Sequence, residues 1–178
     1  MLKILKISDF NNFKKTYSNL LVDFMEDGGE FEPIVVWLNL CEEEIEIQND
    51  EIEDVKYSKK ALVEILPLFK RIALIETSDA IIKNCKRLCN RVGIYLVIHE
   101  AISNSKIRGA LTTYKNHPAI YLSGRSKMHG HLWFEFMHEI GKLLQHYDMK
   151  ETTISFESDK DINATEKEED GYSIVKKY

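Results

Sequence analysis

Apolar side chains along this chain follow two rhythms. Ahead of Gly93 they recur every three or four positions, as in helices that bury one face. Ser8 suits the cap of a helix to about Glu26, with Phe10, Phe13, Tyr17, Leu20, Leu21 and Phe24 on one side and Gly28-Gly29 as its end. Pro33 fits the first turn of a second helix that buries Ile34, Trp37, Leu38, Cys41 and Ile45. The end of that piece, Glu44 to Gln48, also alternates as a strand would, and helix is the preferred reading. Ser58 opens a third helix through Ala61, Leu62, Ile65, Phe69 and Ile72, which Pro67 should kink or split. Thr77 or Ser78 starts a fourth, with Ile81, Ile82, Cys85, Leu88, Cys89 and Val92 inward and Gly93 as its stop.

At Ile94 the rhythm changes. Ile94 to His99, Ile107 to Tyr114 and Ala119 to Leu122 read as short strands, the last two joined by a turn near Asn116-His117-Pro118. Gly109 inside the second marks a bulge or a close approach of another group. Helical spacing returns from His131 to Tyr147, where Trp133, Phe136, Met137, Ile140, Leu143, Leu144 and Tyr147 share one side. Glu135, His138, Glu139, Lys142 and His146 share the other. A polar, acidic run to about Ile162 follows and reads as a loop. A short helix over Asn163 to Lys176, weakened by Gly171, closes the chain. The pattern predicts an α+β fold: a small three-stranded, mostly antiparallel sheet packed on the His131–Tyr147 helix, preceded by a helical N-terminal part. The acidic connection from Gln48 to Tyr57 divides an N-terminal extension (1–57) from the rest (58–178). That extension is expected to pack on the Ser58–Arg91 helices.

At 178 residues the chain can bury a real core. Its charge is uneven. Between Asp23 and Asp54 there are many acids and no Lys or Arg, whereas bases prevail from Lys59 to Lys127. The acidic part would repel nucleic acid, and no basic pattern interleaved with aromatics is present in the other half. No apolar run suits a membrane span or a signal peptide, so the expected location is cytoplasmic. Cys41, Cys85 and Cys89 are an odd set without the paired spacing of a zinc ribbon, and buried free thiols are expected.

The candidate chemistry lies in His138-Glu139-Ile140-Gly141-Lys142. In the zinc-peptidase pattern H-E-x-x-H, two histidines four apart converge on one Zn²⁺, and the intervening Glu activates its bound water. Here Lys142 stands at the second histidine position. A protonated amine has no lone pair to ligate with. His131 and His146 lie too far along the helix axis to replace it, roughly 10–12 Å from His138. Glu135 and His138 have the spacing to chelate together, although the other half of such a site is missing. A plainer reading makes Lys142 an i, i+3 partner of Glu139 on a wet surface, worth roughly 0.2–0.5 kcal/mol. Between these stands a third: the ammonium takes the place of the metal beside Glu139.

From Gly93 onward the chain resembles the ImmA/IrrE metallopeptidase family. Ile107-Arg108-Gly109-Ala110 and Ala119-Ile120-Tyr121-Leu122-Ser123 are similar to that family's small sheet. Leu132 to Gly141, with Leu143-Leu144 and His146, is similar to its signature helix. Glu166-Lys167-Glu168-Glu169-Asp170-Gly171-Tyr172-Ser173 partly matches the run that carries its third metal ligand, with Glu169 and Ser173 where the family has Ala. Val36 to Glu42 and the following helices resemble the piece that precedes this domain in some phage and toxin–antitoxin regulators. The resemblance implies a minimal zincin-like domain, with His138 and Glu168 as zinc ligands, Lys142 in place of the second His ligand, and Glu139 as general base. It implies a peptide lying along an edge strand at Ala119, Ile120, Tyr121 and Leu122. The partner or substrate would be a regulatory protein such as a repressor. Two functions follow: a pseudopeptidase binding or sensing module, holding no zinc as written, or an active zinc endopeptidase. The substitution at Lys142 favours the first.

Overall fold

The computed structural model describes residues 31–48, 52, 55–75, 78–124, 129–147 and 152–156. The expected helices over Ser8 to Glu26 and Asn163 to Lys176, and Glu168 with the latter, lie outside them. The described elements are helices α1 (Phe31–Gln48), α2 (Lys59–Ile75), α3 (Ser78–Arg91) and α4 (His129–His146), and strands β1 (Tyr95–His99), β2 (Ile107–Tyr114), β3 (His117–Ser123) and β4 (Thr153–Phe156). Among the described residues no helix is long and apolar enough to cross a membrane.

Local chemistry sets the element ends. Ser58 caps α2: its Oγ accepts the Ala61 N–H at 3.2 Å. Pro67 does not split α2, which runs through it. The ring sits on an exposed position, where its clash and missing N–H are least costly. After α3 the chain turns at Gly93, whose φ of +79° suits glycine. A Cβ there would lie 2.5 Å from the Tyr57 backbone nitrogen, so no larger residue fits. Lys115 and Asn116, with φ of 45° and 67°, form the two-residue turn that joins β2 to β3.

The sheet order is β1-β3-β2-β4. β3 runs parallel to β1 and antiparallel to β2, and β4 runs antiparallel to β2. Among the described residues the sheet is therefore mixed and has four strands, where three were expected. The added strand, Thr153–Phe156, falls in the run read as a loop. It also changes the place of Ala119 to Leu122. They were expected at an edge, yet β3 is paired on both sides and buried throughout, so its backbone has no open side for a peptide.

Alternation divides the sheet into two faces. Leu96, Leu111, Ile120 and Leu122 meet Leu62, Leu66 and Phe69 of α2, Cys85, Leu88 and Cys89 of α3, and Phe136, Met137, Ile140, Leu143 and Leu144 of α4. Phe69 and Phe136 meet edge to face at 5.1 Å. On the opposite face, Tyr95, Val97, Ile107, Ala110, Ala119 and Tyr121 meet Ile34, Trp37, Leu38, Cys41 and Ile45 of α1. The sheet is thus sandwiched between α1 and the other three helices. The N-terminal piece was expected on the Ser58–Arg91 helices; instead α1 packs on the sheet. The cause is its wide apolar stripe, which matches a face of the sheet that no other described helix covers. The acidic and basic halves still meet at a rim, where Glu44 lies near Lys86. Burial lowers the Lys86 pKa and Glu44 opposes that shift. All three cysteines are buried and none is in a disulfide, as expected.

Trp37 tests the α1 contact. It is fully buried and meets Tyr121 edge to face at 6.3 Å. Trp37→Ala should cost about 3–5 kcal/mol in chemical denaturation. A loss within about 0.5 kcal/mol, the range of a surface substitution, would place α1 outside the core.

Tyr57 tests the seam between the 55–58 connection and α4. Its ring meets that of Tyr147 edge to face at 5.9 Å, and its buried hydroxyl has no hydrogen-bond partner among the described residues. Burial first, and Tyr147 second, push its pKa up from 10.0 to about 12. The fold therefore favours the neutral phenol. Its contribution is whole below pH 10 and is lost as pH rises toward 12. Tyr57→Phe should flatten the alkaline fall in stability across that window; an unchanged fall would assign it to other groups.

Candidate functional site

Helix α4 lies on the face of the sheet that carries Leu111, Ile120 and Leu122. Its polar positions do not all face water. Glu139 is 1% exposed and lies against β2 at Gly109. A Cβ at Gly109 would stand 3.2 Å from Glu139 Oε1 and 3.1 Å from the Tyr121 carbonyl oxygen. Glycine is needed at this point because a carboxylate approaches the strand from above. The β2–β4 register also shifts between Ile107 and Gly109. The close approach and the bulge read from the sequence thus coincide.

A buried carboxylate requires partners. Glu139 Oε1 accepts the Ser155 hydroxyl at 2.5 Å and lies 3.4 Å from Lys142 Nζ. Lys142 Nζ in turn donates to Ser155 Oγ at 2.6 Å. Ser155 reaches the site because β4 pairs Ser155 with Gly109, which turns its side chain toward α4. Glu139 Oε2 is buried and has no hydrogen-bond partner among the described residues. The side chain of Lys142 is 24% exposed, so the pair joins a buried carboxylate to a partly exposed cation. This arrangement differs from a wet i, i+3 pair, because one partner is buried and a third residue joins the two.

His138 precedes Glu139 and is half-buried, with its ring stacked on Phe134 at 6.3 Å. Burial lowers its pKa; Glu139 opposes the shift, while Lys142 and Arg108 add to it. The neutral imidazole is therefore favoured, the form in which a histidine can accept a hydrogen bond or ligate. The second ligand position does not supply a donor here. Lys142 is engaged as an ammonium with a carboxylate and a hydroxyl, and has no lone pair to give. Glu168 lies outside the described residues. Among those described, no group of three or more His, Cys, Asp or Glu side chains is placed to hold a metal ion. His131 is exposed, and His99 Nδ1 lies 3.0 Å from the Glu100 carbonyl.

The structure thus places Lys142 beside Glu139, one residue on from His138, and adds Ser155 and Gly109. It places Ala119 to Leu122 inside the sheet. Ser155 was missed because Thr152-Thr153-Ile154-Ser155-Phe156 lies between charged segments. Its β-branched and aromatic residues at alternate positions were the available signal. Comparison with family models, characterised proteins and solved structures finds no match to this chain.

The three-residue linkage makes a stability prediction. Ser155→Ala should cost about 1–3 kcal/mol, because two polar groups lose a shared partner. Lys142→Met should cost more, about 3–5 kcal/mol, because it leaves a buried carboxylate without a cation. The double variant should depart from additivity by at least about 0.5 kcal/mol in denaturant titrations. Strict additivity would show that the residues act independently.

Proposed function

We propose that the chain is a metallopeptidase-like regulatory protein of the ImmA/IrrE type with a degenerate zinc site, a pseudopeptidase that keeps the fold for binding or sensing. The observation that carries this reading is the position of Lys142, whose ammonium bonds both Ser155 and Glu139. In an intact H-E-x-x-H site, residue 142 would be a ligand and Glu139 would face a metal-bound water. Here a fixed positive charge from within the protein lies beside Glu139 Oε1. The carboxylate is held as part of an ion pair rather than poised as a base. α4 laid across β2 and β3, with Gly109 open to Glu139, is in keeping with a minimal zincin-like arrangement. The sequence resemblance of the His138-Glu139 helix supports the same family. On this reading the partner is a protein, such as a repressor or another regulator, and contact with nucleic acid is not expected. A partner strand would add to an outer edge of the sheet, at β1 or β4, since β3 is enclosed.

Zinc measurements test this. The purified chain should hold far less than stoichiometric zinc by elemental analysis. Lys142→His should raise zinc affinity by more than about a hundredfold, the upper scale for loss of a mere outer-shell partner. Adding Glu139→Gln in that background should leave zinc bound while removing any peptide hydrolysis gained. Stoichiometric zinc in the unaltered chain would overturn the pseudopeptidase reading. No gain of zinc by Lys142→His would show that His138 and Glu168 are not a ligand pair.

A further inference from the structure

A cleft of about 600 Å³ lies away from Glu139, bounded by Val55, Ile72, Leu88 and the polar residues Asn84, Arg87, Asn90 and Arg91. Its origin is topological. The connection after α1 carries the chain from one face of the sheet to the other. Val55 packs with the α1-side core, whereas Ile72 packs with the core of the opposite face. The cleft opens where these two packings meet, beside the face of α3 that carries residues 84, 87, 88 and 91.

Its lining has two kinds of chemistry. Val55, Ile72 and Leu88 form an apolar floor, with Leu88 itself buried. Arg87 and Arg91 stand one helical turn apart at the rim, about 6 Å between Cβ atoms. Both are exposed, and among the described residues no carboxylate lines the cleft. Two neighbouring guanidinium groups can share one tetrahedral dianion, each giving paired N–H donors. Asn84 and Asn90, which have contacts of their own within the protein, add carboxamides to the wall. The volume lies within the usual range for small-molecule sites, about 300–1,000 Å³.

We infer that this cleft binds a small phosphomonoester with a flat, polar-edged ring, the chemistry of a nucleoside monophosphate. The phosphate takes Arg87 and Arg91, the ring lies on Val55, Ile72 and Leu88, and the carboxamides meet the ring edge. A simple carboxylate would use one guanidinium and leave the floor uncovered. Inorganic phosphate would use the rim alone. The inference is independent of the Glu139 site, and its test involves neither zinc nor hydrolysis.

Calorimetric titration of the full chain with AMP, adenosine and inorganic phosphate provides the test. AMP should bind, with adenosine and inorganic phosphate each at least tenfold weaker. Arg87→Gln/Arg91→Gln should weaken AMP at least tenfold. Lys83→Gln, an equivalent charge loss per residue at an exposed α3 position outside the cleft, should leave AMP affinity within twofold. Absence of AMP binding at millimolar concentration would overturn the inference. So would undiminished AMP binding by the double variant, or inorganic phosphate binding as tightly as AMP.

Discussion

The fold around α4 depends on a carboxylate held out of water. Glu139 is buried between its own helix and the sheet, and a strand without a side chain at Gly109 makes room for it. An ionised carboxylate in such a place is tolerated only with strong hydrogen bonds and a nearby cation. Ser155 and Lys142 provide them from two different elements. The requirement fixes more than one side chain. It ties the register of β4 to β2, the spacing of α4 above the sheet, and the direction of Lys142, all through a single oxygen.

The remaining core is apolar and divides along the pleat. Because β3 is enclosed by β1 and β2, successive residues of one strand feed two separate cores, Ala119 and Tyr121 toward α1 and Ile120 and Leu122 toward the other helices. A continuous buried run such as Ala119 to Leu122 is what a strand covered on both faces requires. The edge position came from the family resemblance and not from this run.

Much of the fold is legible in the amino-acid order where a feature has a local cause. Ser58, Gly93 and the helical spacing of Ile34, Trp37, Leu38, Cys41 and Ile45 mark their elements directly. Gly109 marks the close approach that Glu139 makes. Partnering was less legible. Nothing within residues 31–48 states which surface their apolar stripe will meet, because both the sheet and the middle helices are apolar. β4 was obscured by its shortness and by the charged residues around it. In the site, His138, Glu139 and Lys142 are visible through their spacing on one helix. Ser155 is not, since its relation to them exists only through strand pairing with β2.

That relation bears on the order in which the molecule assembles. The β2–β3 hairpin closes through two residues and can form on the microsecond scale of local structure. β4 must instead return to β2 from beyond α4, a pairing of large sequence separation with a correspondingly greater loop-closure cost. Until it does, Glu139 has its cation on the same helix but lacks the hydroxyl that completes its surroundings. Docking of the last strand therefore changes the solvation of a charge as well as adding backbone bonds. Pairing of β4 with β2 and the arrival of Ser155 at Glu139 are the same event.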